Sequence, residues 1–252
     1  MFSMPKQPTL QSRREMCQRP DDNHVMYQNW DDLLFLHWEV NPDMLAATLP
    51  DGLYLDTYGG RAFLGVVPFY MNKVRPRYCP SVPGISYFLE MNLRTYVHDE
   101  KGCPGVWFYS LDANQALAVA VARQFFKLPY QHAEMRAERK DGGWVHYRSR
   151  RAWTQVECEF LYRGAEEPMA AEEGSLEYFL VERYLLYTVL NGEIYSGRVY
   201  HTPYPLARAE VECYSDRLFL LNGFDSPGRP PDLSHYSAGV QVEIFPLRRH
   251  SL

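Results

Sequence analysis

Lysine is scarce in this chain. Five residues, Lys6, Lys73, Lys101, Lys127 and Lys140, stand against 21 arginines, and no two lysines are adjacent. An arginine bias suits bidentate grips on carboxylate or phosphate, and it equally suits a GC-rich genome. Cysteines are few, odd in number and scattered at 17, 79, 103, 158 and 213, with no CxxC pair. That excludes a disulfide framework and a clustered zinc site. His132, His146, His201 and His235 lack zinc-ligand spacing. HExxH, GxSxG and GxxxxGK are also missing, which removes the simplest metal, hydrolase and nucleotide assignments. No metal and no cofactor are expected. No run approaches the ~18 apolar residues of a membrane helix. The opening "MFSMPKQPTLQSRREMCQRPDDNH" does not read as a secretory signal. A reducing cytoplasm is the simplest home, with no membrane partner. The net charge of -5 argues against nucleic acid.

What is present is apolar and aromatic. The 252 residues are 46% hydrophobic and include 19 Tyr, 13 Phe and 5 Trp, a composition that can fill a sizeable core and favours strands. Residues 1–28 are polar and broken by Pro5, Pro8 and Pro20, and read as a flexible tail with a turn of helix. The first strand is expected over 33–40. Asn41 and Pro42 then begin a short helix. "LYLDTYGGRAFLGVVPFYM" reads as a hairpin turning on Gly59-Gly60, with Pro68 marking an edge or bulge. Residues 74–86 form a Pro-rich loop. Strands 87–97 and 105–111 are expected to pair antiparallel. Asp112 would cap a helix reaching Pro129. Residues 143–163 read as one long strand or two, and Ser175 would cap a second helix over 175–189. Strands are expected again at 193–200, 207–214, 217–222 and 238–245. The resulting expectation is one α+β domain over 29–252: a large, curved, mostly antiparallel sheet or partial β-barrel with flanking helices.

The stretch "YFLEMNLRTYV" poses the functional question. Alternation places Phe88, Glu90, Asn92, Arg94 and Tyr96 on one face and Leu89, Met91, Leu93 and Val97 on the other. The polar row either faces water or lines an interior pocket. In a pocket, Glu90 could act as acid or base, and Arg94 could hold a carboxylate or a developing negative charge. Arg123, on the expected helix, either faces solvent or grips an anion. His37, between Leu36 and Trp38, is structural or a ligand contact. In "YRSRR", alternation sets Tyr147, Ser149 and Arg151 against Arg148 and Arg150, which fits a sheet edge with satisfied charges.

Several blocks resemble a known family. "FLHWEVNPDMLAATLPDGLYLDTYGGRAFLGVVPFYM", "LEMNLRTYV", "PGVWFYSLDA", "FKLPY", "YRSRR", "GSLEYFLVERYLLY" and "HTPYPL" occur in order between about Trp30 and Ala209 and resemble the YqjF-like family of uncharacterised bacterial proteins. That resemblance implies a fold related to acetoacetate decarboxylase, with a curved sheet around a cavity. It places His37, Glu90, Asn92, Arg94, Asp112 and Arg123 in the family's characteristic blocks without assigning them roles. The decarboxylase uses a Schiff-base lysine beside a second lysine, and no position here matches it. Fold kinship alone transfers no mechanism.

Three readings follow. The first is a small-molecule pocket for a carboxylated or apolar metabolite, with Asn92, Arg123, His37 and Tyr96 as ligand contacts. The second is a lyase or hydrolase using Glu90 and Arg94. The third is a structural or protein-interaction domain without ligand. Self-association into a homo-oligomer stays open.

Overall fold

The computed structural model describes residues 5–116 and 128–250. Among these, four α-helices occur: α1 (Leu10–Cys17), α2 (Pro42–Ala46), α3 (Leu176–Val181) and α4 (Arg217–Leu220). Strands β1 (Met26–Val40), β2 (Tyr54–Leu55), β3 (Ala62–Pro76), β4 (Phe88–His98) and β5 (Pro104–Ala113) come first. Then follow β6 (Tyr130–Arg139), β7 (Val145–Arg151), β8 (Glu157–Gly164), β9 (Leu185–Leu190) and β10 (Glu193–Tyr200). The last are β11 (Leu206–Cys213), β12 (Leu233–Ile244) and β13 (Arg248–Arg249).

All thirteen strands belong to one curved, mostly antiparallel sheet. β12, β1, β3, β4 and β5 stand side by side as its wall. On one side β6, β7, β8 and β11 lead from β5 back to β12, and on the other β9 and β10 do so. Two rings of strands therefore share one wall. Neither is a regular barrel, because β6 and β9 both join β5 in parallel over only a few residues.

Period-two alternation divides the wall's side chains between the rings. Leu89, Met91 and Leu93 of β4 join Leu36, Leu64, Tyr147 and Phe160 in a solid core. Phe88 and Tyr96 point the other way, with Phe35, Phe69, Val106 and Leu111. Every residue of β4 is buried, so the polar row does not face water.

Several local expectations hold for plain reasons. Gly59 and Gly60 take φ of 58° and 83°, the left-handed region that a tight hairpin turn needs. Asn41 Oδ1 accepts hydrogen bonds from the Asp43 and Met44 amides, and Pro42 opens α2. Pro68 falls where the β1–β3 ladder is interrupted between Asp31 and Leu36, so its missing N–H costs that ladder nothing. β4 pairs antiparallel with β5, and the stretch after residue 143 is two paired strands.

Other expectations are corrected. β1 begins at Met26 rather than Leu33. Residues 5–25, read as a flexible tail, pack onto the sheet. Arg13 of α1 makes a bidentate pair with Asp56 at 2.7 and 2.8 Å, and Arg198 donates to the Met16 and Gln18 carbonyls. β2 pairs with β4 rather than with β3. The second helix stops at Val181, and its expected second half is β9, whose Leu185 and Tyr187 fill a core cleft. Residues 217–220 are helical because they cover the solid core with Leu218 and Phe219. Asp112 is a strand residue rather than a cap, and the helix expected to follow it as far as Pro129 lies largely outside the described residues. Asp112 lies in β5, facing the solid core.

Candidate functional site

The second ring encloses a cavity of about 320 Å³. That lies at the lower end of the roughly 300–1,000 Å³ usual for small-molecule pockets. Phe88, Glu90, Asn92 and Arg94 line it as consecutive same-face residues of β4. Beside them lie Val67, Phe69 and Met71 of β3 and Val106 and Phe108 of β5, and Leu33 of β1 and Val199 of β10 also line the space. Aromatic and aliphatic walls thus surround one polar ladder.

Glu90 is 4% exposed. The Tyr130 hydroxyl, at the start of β6, donates to its Oε2 at 2.7 Å. Burial pushes the Glu90 carboxyl up to about 7. The Tyr130 hydrogen bond works in the opposite direction, and the Asp112 charge adds to the rise. Near neutral pH Glu90 therefore exists in both protonation states, as a general acid or base requires. From the solid-core side, the Tyr147 hydroxyl donates to the Glu90 carbonyl at 2.8 Å and anchors the strand at this position.

Arg94 is 8% exposed, and no carboxylate among the described residues pairs with it. Its Nη2 donates to the Leu180 carbonyl of α3 at 3.3 Å, and its Nε has no partner. The guanidinium carbon lies 5.6 and 5.8 Å from the ring centres of Phe35 and Tyr96. Aromatic faces and a carbonyl offset a buried cation only in part. Asn92 Oδ1 is likewise buried without a partner. Unsatisfied buried groups are rare in folded proteins and ask for an explanation.

The neighbouring Arg183 is different. Its Nη1 donates to Asp56 Oδ2 at 2.7 Å, and Arg13 holds the other side of the same carboxylate. Burial pushes the Asp56 carboxyl up, but the two guanidiniums outweigh it, and the net shift is downward. Burial lowers Arg183 to about 10, with Asp56 opposing. Both guanidiniums stack on Phe179 of α3, at 4.9 and 4.3 Å.

The remaining expected residues are placed as follows. His37 and Tyr96 are fully buried behind the cavity wall, with His37 Nε2 2.6 Å from the Tyr96 hydroxyl. Burial first, then the Arg94 charge, hold the His37 imidazole well below its ordinary range, so it is neutral. Gly65 makes room for it, since a Cβ there would stand 3.1 Å from the imidazole. Asp112 accepts two hydrogen bonds from Arg151 Nε, at 3.0 and 2.9 Å, on the opposite face of the sheet. Burial pushes its carboxyl up, partly offset by Arg151. Ser175 caps α3 by accepting from the Tyr178 amide. Arg123 lies outside the described residues. In "YRSRR", Arg148 and Arg150 pair with Glu159 and Glu134 on the outer face, while Arg151 turns inward.

Sequence reasoning missed Tyr130, Asp56, Arg183 and Tyr204, the last a buried residue of the cavity lining. Only Asp56 carried a signal, as an acidic residue inside an otherwise apolar hairpin. The others come together through β6, the end of α3 and the loop before β11, which no local pattern links.

Among the described residues, no group of three or more His, Cys, Asp or Glu could hold a metal ion. No described lysine lines the cavity.

Comparison with known proteins fixes the kinship of this chain. A family described as an uncharacterized conserved protein, DUF2071, matches residues 27–241. The chain belongs to that family. It is 42% identical over 234 residues to the uncharacterized protein YqjF of Bacillus subtilis strain 168, covering 92% of this chain and 95% of that one. Solved structures extend the kinship in fold. Acetoacetate decarboxylase of Legionella pneumophila superposes with a TM-score of 0.64 at 11% identity, covering 100% of this chain and 98% of that one. The enduracididine biosynthesis enzyme MppR, complexed with pyruvate, gives 0.62 at 15% identity, with 93% of each chain covered. This DUF2071 member therefore has an acetoacetate decarboxylase-like fold. No helix among its described residues is long and apolar enough to cross a membrane.

Proposed function

We propose that the cavity binds a small organic molecule carrying a carboxylate, with Arg94 as its counter-ion. The observation that carries this reading is a buried guanidinium on the cavity wall with no acidic partner among the described residues and an unpaired Nε. An isolated buried cation is costly, and a ligand carboxylate would complete it by charge-assisted hydrogen bonds. Asn92 would orient a second polar atom of the ligand. MppR, a relative in fold, was solved with pyruvate, a molecule of the same class. All five cysteines are free, which suits a reducing compartment such as the cytoplasm.

The test is calorimetric titration of wild type and Arg94→Met with small carboxylates, pyruvate included, and with the matching amides. Wild type should bind acids in preference to amides, and Arg94→Met should lose that preference. Equal binding of acid and amide by wild type would overturn the assignment.

A second reading rests on Glu90. A buried carboxyl at about 7, touching a tyrosine hydroxyl on the wall of the same cavity, is suited to proton transfer. On this reading the bound acid is turned over by a lyase or hydrolase, with Glu90 as acid or base. Glu90→Gln should then abolish turnover while leaving carboxylate binding in place.

A further inference from the structure

The ligand's remaining part is constrained by how polarity changes along the cavity. Arg94 marks the deep end. Its guanidinium touches α3, and its neighbours on the wall, Leu33, Val181 and Tyr204, are at most 3% exposed. Phe88, at the other end of the same row, adjoins Pro76 and Ile85, which are exposed. At about 3.4 Å per strand residue, the six steps from Phe88 to Arg94 span roughly 20 Å. Polar groups occupy the β4 wall between them. The strands beside β4 add Phe69, Phe108 and Leu111, and Val199 and Ile244 continue the apolar lining; the other described charges on it are Arg75, Arg183 and Arg198.

The other described arginines of the lining are either paired with a carboxylate or only half-buried. Asp56 pairs with Arg183. The Met16 and Gln18 carbonyls hold Arg198, and Arg75 stacks on the Tyr27 ring at 4.3 Å. Among the described arginines of the lining, Arg94 is the buried one without a carboxylate partner, and it stands at the closed end.

We infer that the ligand is an amphipathic carboxylic acid bound head first, its carboxylate on Arg94 and its aliphatic or aryl portion extending along the apolar walls toward Ile85. This inference rests on the reading of Arg94 as the carboxylate counter-ion. Asn92 and Glu90 are then passed by the carbons next to the carboxyl group, where a carbonyl or hydroxyl substituent would find partners. The distal apolar end gains only by burial.

The experiment is calorimetric titration of wild type and Ile85→Asp with straight-chain saturated carboxylates from butanoate to hexadecanoate, with octanamide as the uncharged control. Affinity should rise about fourfold per added methylene until the cavity is full. Octanoate should bind more tightly than octanamide. Ile85 is exposed, so its replacement leaves the core intact. Ile85→Asp should weaken hexadecanoate by about tenfold, because a charge then meets the chain's end, and should leave butanoate unchanged. Affinity that does not depend on chain length would overturn the amphipathic class while leaving the carboxylate reading standing. An equal loss at every chain length in Ile85→Asp would overturn the head-first orientation. Failure of every acid to bind better than octanamide would remove the carboxylate reading itself.

Discussion

Tyr130 donates a 2.7 Å hydrogen bond to Glu90 across the interior of the cavity, and both side chains are sealed from solvent. The bond favours the charged carboxylate and so works against burial. Tyr130→Phe should therefore raise the Glu90 pKa above its value of about 7. Carbon-13 NMR of labelled glutamate carboxyls, followed through a pH titration, measures this directly. A fall would contradict the geometry.

Glu90 also makes a signed prediction for stability. Its folded pKa of about 7 lies above the ordinary 4.5, so the folded state holds its proton more tightly than the unfolded state does. Its contribution is fully present below the ordinary value and is lost as pH rises through about 7. Wild type should lose on the order of 3 kcal/mol relative to Glu90→Gln across that window. Urea denaturation of both proteins at several pH values checks this. Parallel stability curves would show that Glu90 does not titrate in the folded protein.

Arg94 should separate stability from function. A long apolar residue fills similar space without a buried charge, and such replacements are commonly neutral or stabilising by about 1–4 kcal/mol. Arg94→Met should hold or raise the melting temperature while carboxylate binding disappears. A large drop in melting temperature would instead make Arg94 a structural residue.

Asp56 should behave in the opposite way. Its carboxylate is shared by Arg13 and Arg183, and Asp56→Asn leaves Arg183 buried without a counter-charge. A loss of about 3–5 kcal/mol is expected by chemical denaturation. The net downward pKa shift means that this contribution is present above the ordinary carboxylate pKa and is lost as pH falls through the folded value. The gap between wild type and variant should therefore close in acid.

The Asp112–Arg151 pair, buried in the solid core, invites a double-mutant cycle. Arg151→Met alone strands a buried carboxylate and should cost about 3–5 kcal/mol. Adding Asp112→Asn should recover much of that loss. Strict additivity of the two changes would mean that the pair is not coupled.

The parts of this molecule legible in sequence were those set by neighbouring residues. The Gly59-Gly60 turn, the Asn41 and Ser175 caps, the Pro68 irregularity and the alternation along β4 each depend on a few adjacent positions. So did the choice of Glu90, Asn92 and Arg94, because three polar side chains at every second position of an apolar strand are conspicuous. Which way that row faced was not legible, since the sheet is buried on both sides and alternation names two faces without saying what covers each. Helical spacing over 176–189 misled because Leu185 and Tyr187 are required by β9, and tertiary pairing overrode the local pattern. Asp112 made a plausible cap, but its partner Arg151 lies 39 positions away. Tyr130, Asp56 and Arg183 likewise reach the site through contacts distant in sequence.

The wall shared by the two rings has a consequence for how this protein can change. Odd-numbered positions of β4, such as Met91 and Leu93, grip the solid core, while even-numbered ones, such as Glu90 and Asn92, look into the hollow. A single strand thus writes two messages in alternate letters, one for persistence of the fold and one for the lining of the hollow. Substitutions in the second can accumulate without erasing the first, so the hollow's shape and charge can change one letter at a time while the scaffold persists.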